Sequence, residues 1–358
     1  YSQELTLKKI LSPSKTITFN PRITWAFSRQ SFLWGNKTTL TYSPLRRGYF
    51  IFDFGKFTTD FNTLYGIEPI LNAATSILFR ENYARYFEDK FIKLFNRIDL
   101  ANGLVLHTGF ELHNNKQLQN TTNWPVFNEQ FYYYPNIPNN DEITESSLKD
   151  QKSSIVTIKV EYTPRYFYHI RNGRKIMSHS HFPTYWIGYT KGIKNLFGSN
   201  SNFDYLEIGL KQKITAGPLT SIHYEFKGGW FPNNEQIHFS DFIQTNTQRV
   251  RLLLKEHRHV FLLPDYYQLA TSKYYIEGHV SLKAPFIALK YLPLLHNTIW
   301  KEAVRLSYYS KPGYKNYFEV GYSLNEIFLT ADIGLFMGWE GWRFNNIGIN
   351  LVLRLSNK

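Results

Sequence analysis

The sequence predicts an all-β protein: a transmembrane antiparallel β-barrel of about fourteen strands (12–16), with one helical insertion near residues 67–88. Three observations predict it. The first is alternation. From Asn346 to Leu355 the odd positions Ile347, Ile349, Leu351, Leu353 and Leu355 are aliphatic, whereas Asn346, Gly348, Asn350 and Arg354 break up the even ones. Successive strand side chains point to opposite faces, so the stretch has one wholly apolar face, and about ten residues suffice for a tilted strand to cross a bilayer. The second is aromatic placement. Aromatics form 18% of the chain, and they gather near strand ends at Tyr132 to Tyr134, Tyr185 with Trp186, Tyr308 with Tyr309, and Trp339 with Trp342, where interfacial girdles belong. The third is charge at mid-strand: Glu207, Lys211, Glu225, Glu277, His279 and Glu319 suit a wet or plugged lumen better than a dry sandwich core.

Composition narrows the alternatives. Charged residues are only 19% and mean hydropathy is −0.37, so apolar content is dispersed. No run approaches the roughly 18 apolar residues of a membrane helix. With no cysteine, there is neither a disulfide framework nor thiolate chemistry. The net charge of +13 is spread along the chain instead of forming the basic stripe of a nucleic-acid binder, which leaves acidic lipid headgroups as its partner and no nucleic acid. The sequence opens on Tyr1, as expected of a mature or trimmed chain.

Taken in order, the first strand is Lys15 to Phe27, with Ile17, Phe19, Ile23, Trp25 and Phe27 on one face. Lys37 to Tyr42 and Gly48 to Phe57 follow. From Ile67 to about Glu88 the apolar positions Ile70, Leu71, Ala74, Ile77 and Leu78 take helical spacing, and Pro69 suits a first turn. Strands resume at Phe91 to Leu100 and Leu104 to Leu112, joined by the turn Ala101-Asn102-Gly103. Residues 114–150, containing N-I-P-N-N at Asn136 to Asn140, read as a long exposed polar loop. Then come Ile155 to Tyr162, Tyr166 to Ile170, Tyr185 to Thr190, Phe203 to Lys213 and Leu219 to Trp230. A second long polar loop spans 232–258. Strands return at Val260 to Leu263, Tyr274 to Leu282, Trp300 to Tyr309, Tyr317 to Leu324 and Thr330 to Trp339, before the closing strand. All 358 residues form a single outer-membrane barrel domain.

The run Phe182 to Lys213, with F-L-L-P-D-Y-Y-Q-L-A-T-S-K-Y-Y-I-E-G-H at 261–279, L-P-L-L-H at 292–296 and Y-F-E-V-G-Y-S-L-N-E-I-F at 317–328, resembles a Bacteroidota outer-membrane β-barrel family of unknown function, usually preceded by a carboxypeptidase-regulatory-like domain. The resemblance covers most of the chain. It implies an outer-membrane barrel and brings no activity or site residues. The regulatory-like domain has no counterpart in these residues, and Ser356-Asn357-Lys358 departs from the terminal aromatic of many outer-membrane barrels.

The pattern assigns Leu206, Ile208, Leu210, Phe318, Val320, Ile347, Ile349 and Leu351 to lipid, and Glu207, Glu225, Glu319 and Asn350 to the lumen. Bulky polar groups such as Lys93, Arg97, Lys159 and Lys227 predict a closed lumen. Motifs for chemistry are sparse. His179 and His181 share a strand face with no companion carboxylate or third His nearby, and Glu256, His257 and His259 form a similar cluster on a long loop; both sets read as polar strand-end or loop residues and not as metal sites. His107, His223 and His279 fall on polar faces, where solvated lumen residues and a strand-built hydrolase site look alike in one sequence. No G-x-S-x-G, H-E-x-x-H or P-loop occurs. The expectation is therefore a non-enzymatic accessory or scaffold subunit of a larger outer-membrane complex, without cofactor or metal, serving envelope protein insertion or export. Its partners would be outer-membrane lipid, lipopolysaccharide and other outer-membrane or periplasmic proteins. Phe131, Tyr132, Tyr133 and Tyr134 form the expected partner-binding platform. A small-solute pore and an outer-membrane hydrolase are the alternatives.

Overall fold

The computed structural model describes the chain except residues 1, 13–14, 28, 80, 122–132, 218, 250, 255–258, 286, 292–299 and 354–358. In chain order its elements are β1 (Ser2–Glu4), β2 (Leu7–Ser12), β3 (Lys15–Ala26), β4 (Ser31–Tyr42), β5 (Gly48–Asp60), α1 (Pro69–Phe79), β6 (Tyr86–Ala101), β7 (Leu104–Gln117), α2 (Glu145–Leu148) and β8 (Gln151–Tyr162). They continue with β9 (Tyr168–Arg171), β10 (Arg174–Met177), β11 (Thr184–Gly192), β12 (Asn202–Ala216), β13 (Thr220–Gln236), β14 (Leu252–Leu253), β15 (Tyr274–Ala284), β16 (Lys301–Ser310), β17 (Tyr317–Ile327), β18 (Ala331–Glu340) and β19 (Arg343–Leu353).

Seventeen of these strands make one sheet, and β9 with β10 makes a separate hairpin. β1 and β2 pair one after the other along β3. From β3 each strand is antiparallel to the next through β8. The ladder then runs β8, β11, β12, β13, β15 and on to β19. Counted with β1 and β2 as one, fifteen antiparallel strands follow each other, so the first and last run in the same direction and cannot pair antiparallel. Among the described residues no ladder joins β19 to β1, β2 or β3. The outer edge of β19 is met instead by β14, which runs parallel to it, with the Leu351 N–H donating to Arg251 O at 2.7 Å.

Several sequence expectations need correcting. The sheet has more strands than fourteen because residues 2–12, where Lys8 and Lys9 interrupt the apolar pattern, also pair, and because β14 adds a two-residue segment. The helix is Pro69–Phe79, not 67–88, and a second, four-residue helix follows at α2. Asn72 cuts α1 short: its Oδ1 accepts from the Tyr83 and Ala84 N–H groups at 3.1 and 3.0 Å, turning the chain into β6. The polar loops are shorter than 114–150 and 232–258, since β7 runs to Gln117 and β13 to Gln236. Val260 to Leu263 forms no strand; it makes only an isolated bridge between Thr247 and Phe261.

The segment from Ile237 to Ser272 is no solvated loop. Phe239, Thr247, Phe261, Leu269 and Thr271 are each 0% exposed. Its described residues touch one face of the sheet from β5 through to β19: Tyr267 bonds Asp60, His238 meets Asn115, Leu262 meets Glu319, and Leu263 lies over Gly348. The sheet therefore curls round this segment, which acts as a plug. On the opposite, convex face, register places Leu306, Val320, Met337 and Ile347 in one row, and Tyr322, Leu335 and Ile349 in the next. Most of these side chains are exposed.

Candidate functional site

The plug meets the concave wall through a few charged side chains, and strand pleating explains why those residues do it. In β17 the alternation places Tyr317, Glu319, Gly321, Ser323 and Asn325 inward and Phe318 and Val320 outward. Glu319, 2% exposed, accepts from the Leu262 N–H at 2.9 and 3.1 Å, the Leu263 N–H at 3.2 Å and the Tyr317 hydroxyl at 2.9 Å. A buried carboxylate needs such donors, and a plug crossing without a strand partner needs an acceptor for its amides. Each solves the other's problem. Next to this contact Leu263 rests on two glycines: a Cβ at Gly348 would stand 2.6 Å from Leu263 Cδ2, and one at Gly338 3.1 Å from Cδ1.

Other anchors follow the same logic. In one row across the sheet lie Lys211, Glu225, His279, Ser307 and Glu319. His259 of the plug, held at φ 50 in the left-handed region, sets Nδ1 3.0 Å from Glu225 and stacks on His279. Glu277 joins Lys227 at 3.2 Å and His279 at 2.9 Å. Towards the end of the sheet where the plug leaves β13, Lys311 donates to Gln268 O and Ala270 O at 2.8 Å each, and burial lowers its pKa.

N-I-P-N-N is part of this fastening. Asn136 bonds both backbone groups of Tyr86, and Asn140 donates to Tyr267 O at 2.7 Å and Ala270 O at 2.8 Å. Glu142 accepts from Thr271 Oγ1 and the Ser272 N–H. The sequence treats this stretch as exposed loop; the structure makes it the clasp of the plug.

The sequence-predicted residues fall as follows. Ile208, Val320, Ile347, Ile349 and Leu351 are exposed on the convex face, and Leu206, Leu210 and Phe318 are half-exposed. Glu319 and Asn350 are buried. Glu207 is half-buried and accepts from Trp186 Nε1 at 2.7 Å and from the Tyr205 and Tyr275 hydroxyls. Phe131 and Tyr132 lie outside the described residues. Tyr133 donates its hydroxyl to Ser76 O of α1, and the Tyr134 ring is exposed. The apolar stripe expected to bury α1 is divided: Leu71 packs inward, whereas Ile70, Ala74 and Ile77 face out.

The histidines also separate. His179 and His181 contact each other edge to face, and Glu256 and His257 lie outside the described residues. His107 stands 3.6 Å from Glu161. Among the described residues no three His, Cys, Asp or Glu side chains form a metal-sized group. A Ser–His contact does exist in the plug, with Ser240 Oγ 2.7 Å from His238 Nδ1, but the Ser240 N–H donates to the same nitrogen at 3.3 Å, so the ring caps a short 3-10 turn. Burial holds His238 down at about 4 and pushes Asp241 up to about 6. Sequence reasoning missed the plug because it has no period. Its signal is composition: Phe239, Phe242, Phe261, Leu262, Leu263, Tyr266, Tyr267 and Leu269 are too apolar for a solvated loop.

A family model described as the C-terminal domain of a family of unknown function (DUF5686) matches residues 1–324. No curated protein matches the chain. Among solved structures, the crystal structure of BamA from Haemophilus ducreyi lacking POTRA domains 1-3 is similar, at 10% identity and a TM-score of 0.46, over 98% of this chain and 68% of that one.

Proposed function

The chain belongs to the DUF5686 family of unknown function, as its C-terminal domain, and from that premise we propose that it is an outer-membrane β-barrel acting as a non-enzymatic accessory or scaffold subunit of a larger outer-membrane complex. One observation carries this: the exposed face of the sheet is the apolar one, and the face a pore would need is filled by the protein's own plug. Soluble monomers rarely expose contiguous apolar patches beyond a few hundred Å². Rows such as Leu306, Val320, Met337 and Ile347 suit contact with lipid and lipopolysaccharide acyl chains. A filled interior argues against free solute flow and leaves the ends as working surfaces.

The partner surface we assign is the end that carries α1. Leu64, Ile70 and Ile77 are 75%, 67% and 47% exposed there, next to the exposed ring of Tyr134. Helix faces of this kind dock into partner grooves, and a stable contact would bury at least about 1,000 Å² in total. Envelope protein insertion or export is a process such a subunit would serve. The test is purification of the full-length protein from native membranes, beside a variant carrying Ile70→Ser and Ile77→Ser. We expect a defined set of proteins to accompany the wild type and to be lost from a variant that still folds, since exposed substitutions change stability by roughly 0.5 kcal/mol or less. If nothing accompanies the intact protein, the scaffold reading fails. If the same set accompanies the variant, α1 is not the docking surface.

A further inference from the structure

One row beyond the Glu319 anchor, the concave wall changes character. Register aligns Lys213 of β12, His223 of β13, Ser281 of β15 and Arg305 of β16 side by side. Lys283 and Lys301 lie one and two rows nearer the strand ends. Together they line a chamber of about 240 Å³ roofed by His259 and Val260 of the plug. Among the described residues of its wall Glu326 is the one carboxylate, 3.1 Å from Lys283 and 2.8 Å from Lys301. Among those residues four cations face one carboxylate, and Glu319 in the row above offsets part of the difference through Arg305.

The ion pairs and amide bonds already described hold the plug from the rows above. The His259 Nε2 is buried with no hydrogen-bond partner, so the roof keeps a polar atom unsatisfied, which is costly unless something meets it. Hydroxyls of Thr215, Ser221, Ser281 and Ser307 alternate with the cations. Ammonium, guanidinium, imidazole and hydroxyl groups converging on one small space suit an anion with several oxygens and more than one charge. The volume lies below the roughly 300–1,000 Å³ of drug-sized pockets, so the occupant is a headgroup or a small anion and not a macromolecule.

We propose that this chamber binds a phosphate group, as a phosphate monoester or diphosphate, between the β12–β16 wall and the underside of the plug. The lining includes Thr220 at the start of β13 and Glu326 near the end of β17 as well as His259 and Val260 of the plug, so an occupant would touch plug and wall together. The proposal stands on luminal geometry and survives if the partner surface at α1 is wrong.

The test uses the whole protein in detergent, titrated calorimetrically with inorganic pyrophosphate and, separately, with dihexanoyl phosphatidic acid. The expected result is saturable binding near one per chain. It should weaken roughly tenfold or more when Lys213→Gln and Arg305→Gln are combined, since each removes a charge-assisted contact. Lys8→Gln with Lys9→Gln, on the exposed β2, should leave it unchanged. Tighter binding of the lipid would make the source a headgroup; tighter binding of pyrophosphate would make it a free anion. If the double variant does not fold, Lys283→Gln alone carries the same expectation. No saturable binding of either probe, or equal binding by a folded chamber variant, overturns the proposal.

Discussion

At the scale of single residues, the interior is stabilised by polar groups whose partners were chosen by register, and the exceptions are informative. Asp241 sits on the plug beside His238, with its Oδ2 buried and unpartnered, and burial raises its pKa from 3.8 to about 6. The folded state thus holds this proton more tightly than the unfolded state does. Its favourable contribution is complete below about pH 3.8 and is lost as pH rises through about 6. Asp241→Asn should therefore make the protein more stable at pH 8 by up to about 3 kcal/mol, the value of two pKa units. The gain should shrink to nothing by about pH 4. Urea unfolding of both proteins at pH 8, 6 and 4 checks this; a gain that does not depend on pH would mean that shape, not ionisation, is the cause. Nothing in the sequence marks Asp241. It is one acid among 28 Asp and Glu, and its burial comes from a segment whose path has no period. Glu319 differs, because its place between Phe318 and Val320 on an alternating strand assigned it to the concave face. What alternation could not tell is that its partners would be the amides of Leu262 and Leu263 and not water.

At the scale of elements, legibility follows periodicity. β12, β13, β17 and β19 were readable because the middle of each has one apolar face and one mostly polar face. α1 was readable as a helix but not in its extent: the apolar spacing continues past Phe79, while the Asn72 side chain bonds Tyr83 and Ala84 and ends it. The plug was invisible for the opposite reason, being buried without being regular. Its retention rests on separable anchors: Glu319 to the Leu262 and Leu263 amides, Lys311 to the Gln268 and Ala270 carbonyls, and Asn140 to Tyr267 and Ala270. Removing one partner strands the other in a buried place at about 1–3 kcal/mol, and more for a charge. The intact protein should show no large steady conductance in planar bilayers. Combining Glu319→Ala with Lys311→Ala, which loosens the plug at two points between residues 262 and 270, should produce frequent openings while the strands remain folded by circular dichroism. Large steady conductance from the unmodified protein would displace the plugged reading in favour of a pore.

At the scale of the whole molecule, the sheet from β17 to β19 presents mostly polar or small residues inward and apolar ones outward, and each face constrains the other. A one-residue slip of any strand would turn its inner polar groups to the outside and its aliphatic row to the plug. The outward rows are thus the collective consequence of the inward ones. The total of strands was less legible than the pattern, because Lys8 and Lys9 disguise the first strand and no sequence signal marks β14. Direction matters more than number here: β1 with β2 and β19 run the same way, so any strand lying between them and pairing antiparallel with both must run opposite to both. The membrane reading itself is tested most directly at Ile349. It lies midway along β19, 60% exposed, and aligned with Leu335 and Tyr322 on the convex face. In a sheet facing water, an exposed Ile→Arg change would alter stability by roughly 0.5 kcal/mol or less. In a sheet facing hydrocarbon at mid-depth the guanidinium has no water to meet, and the cost is about 2–4 kcal/mol. Ile349→Arg should therefore show the larger loss when folding is followed by urea titration in lipid vesicles. Trp342→Arg, at a turn where Trp342 is 99% exposed, should cost about 0–1 kcal/mol, as near an interface. Equal and negligible costs at the two positions would mean that the convex face meets water, and the outer-membrane assignment would fall with it.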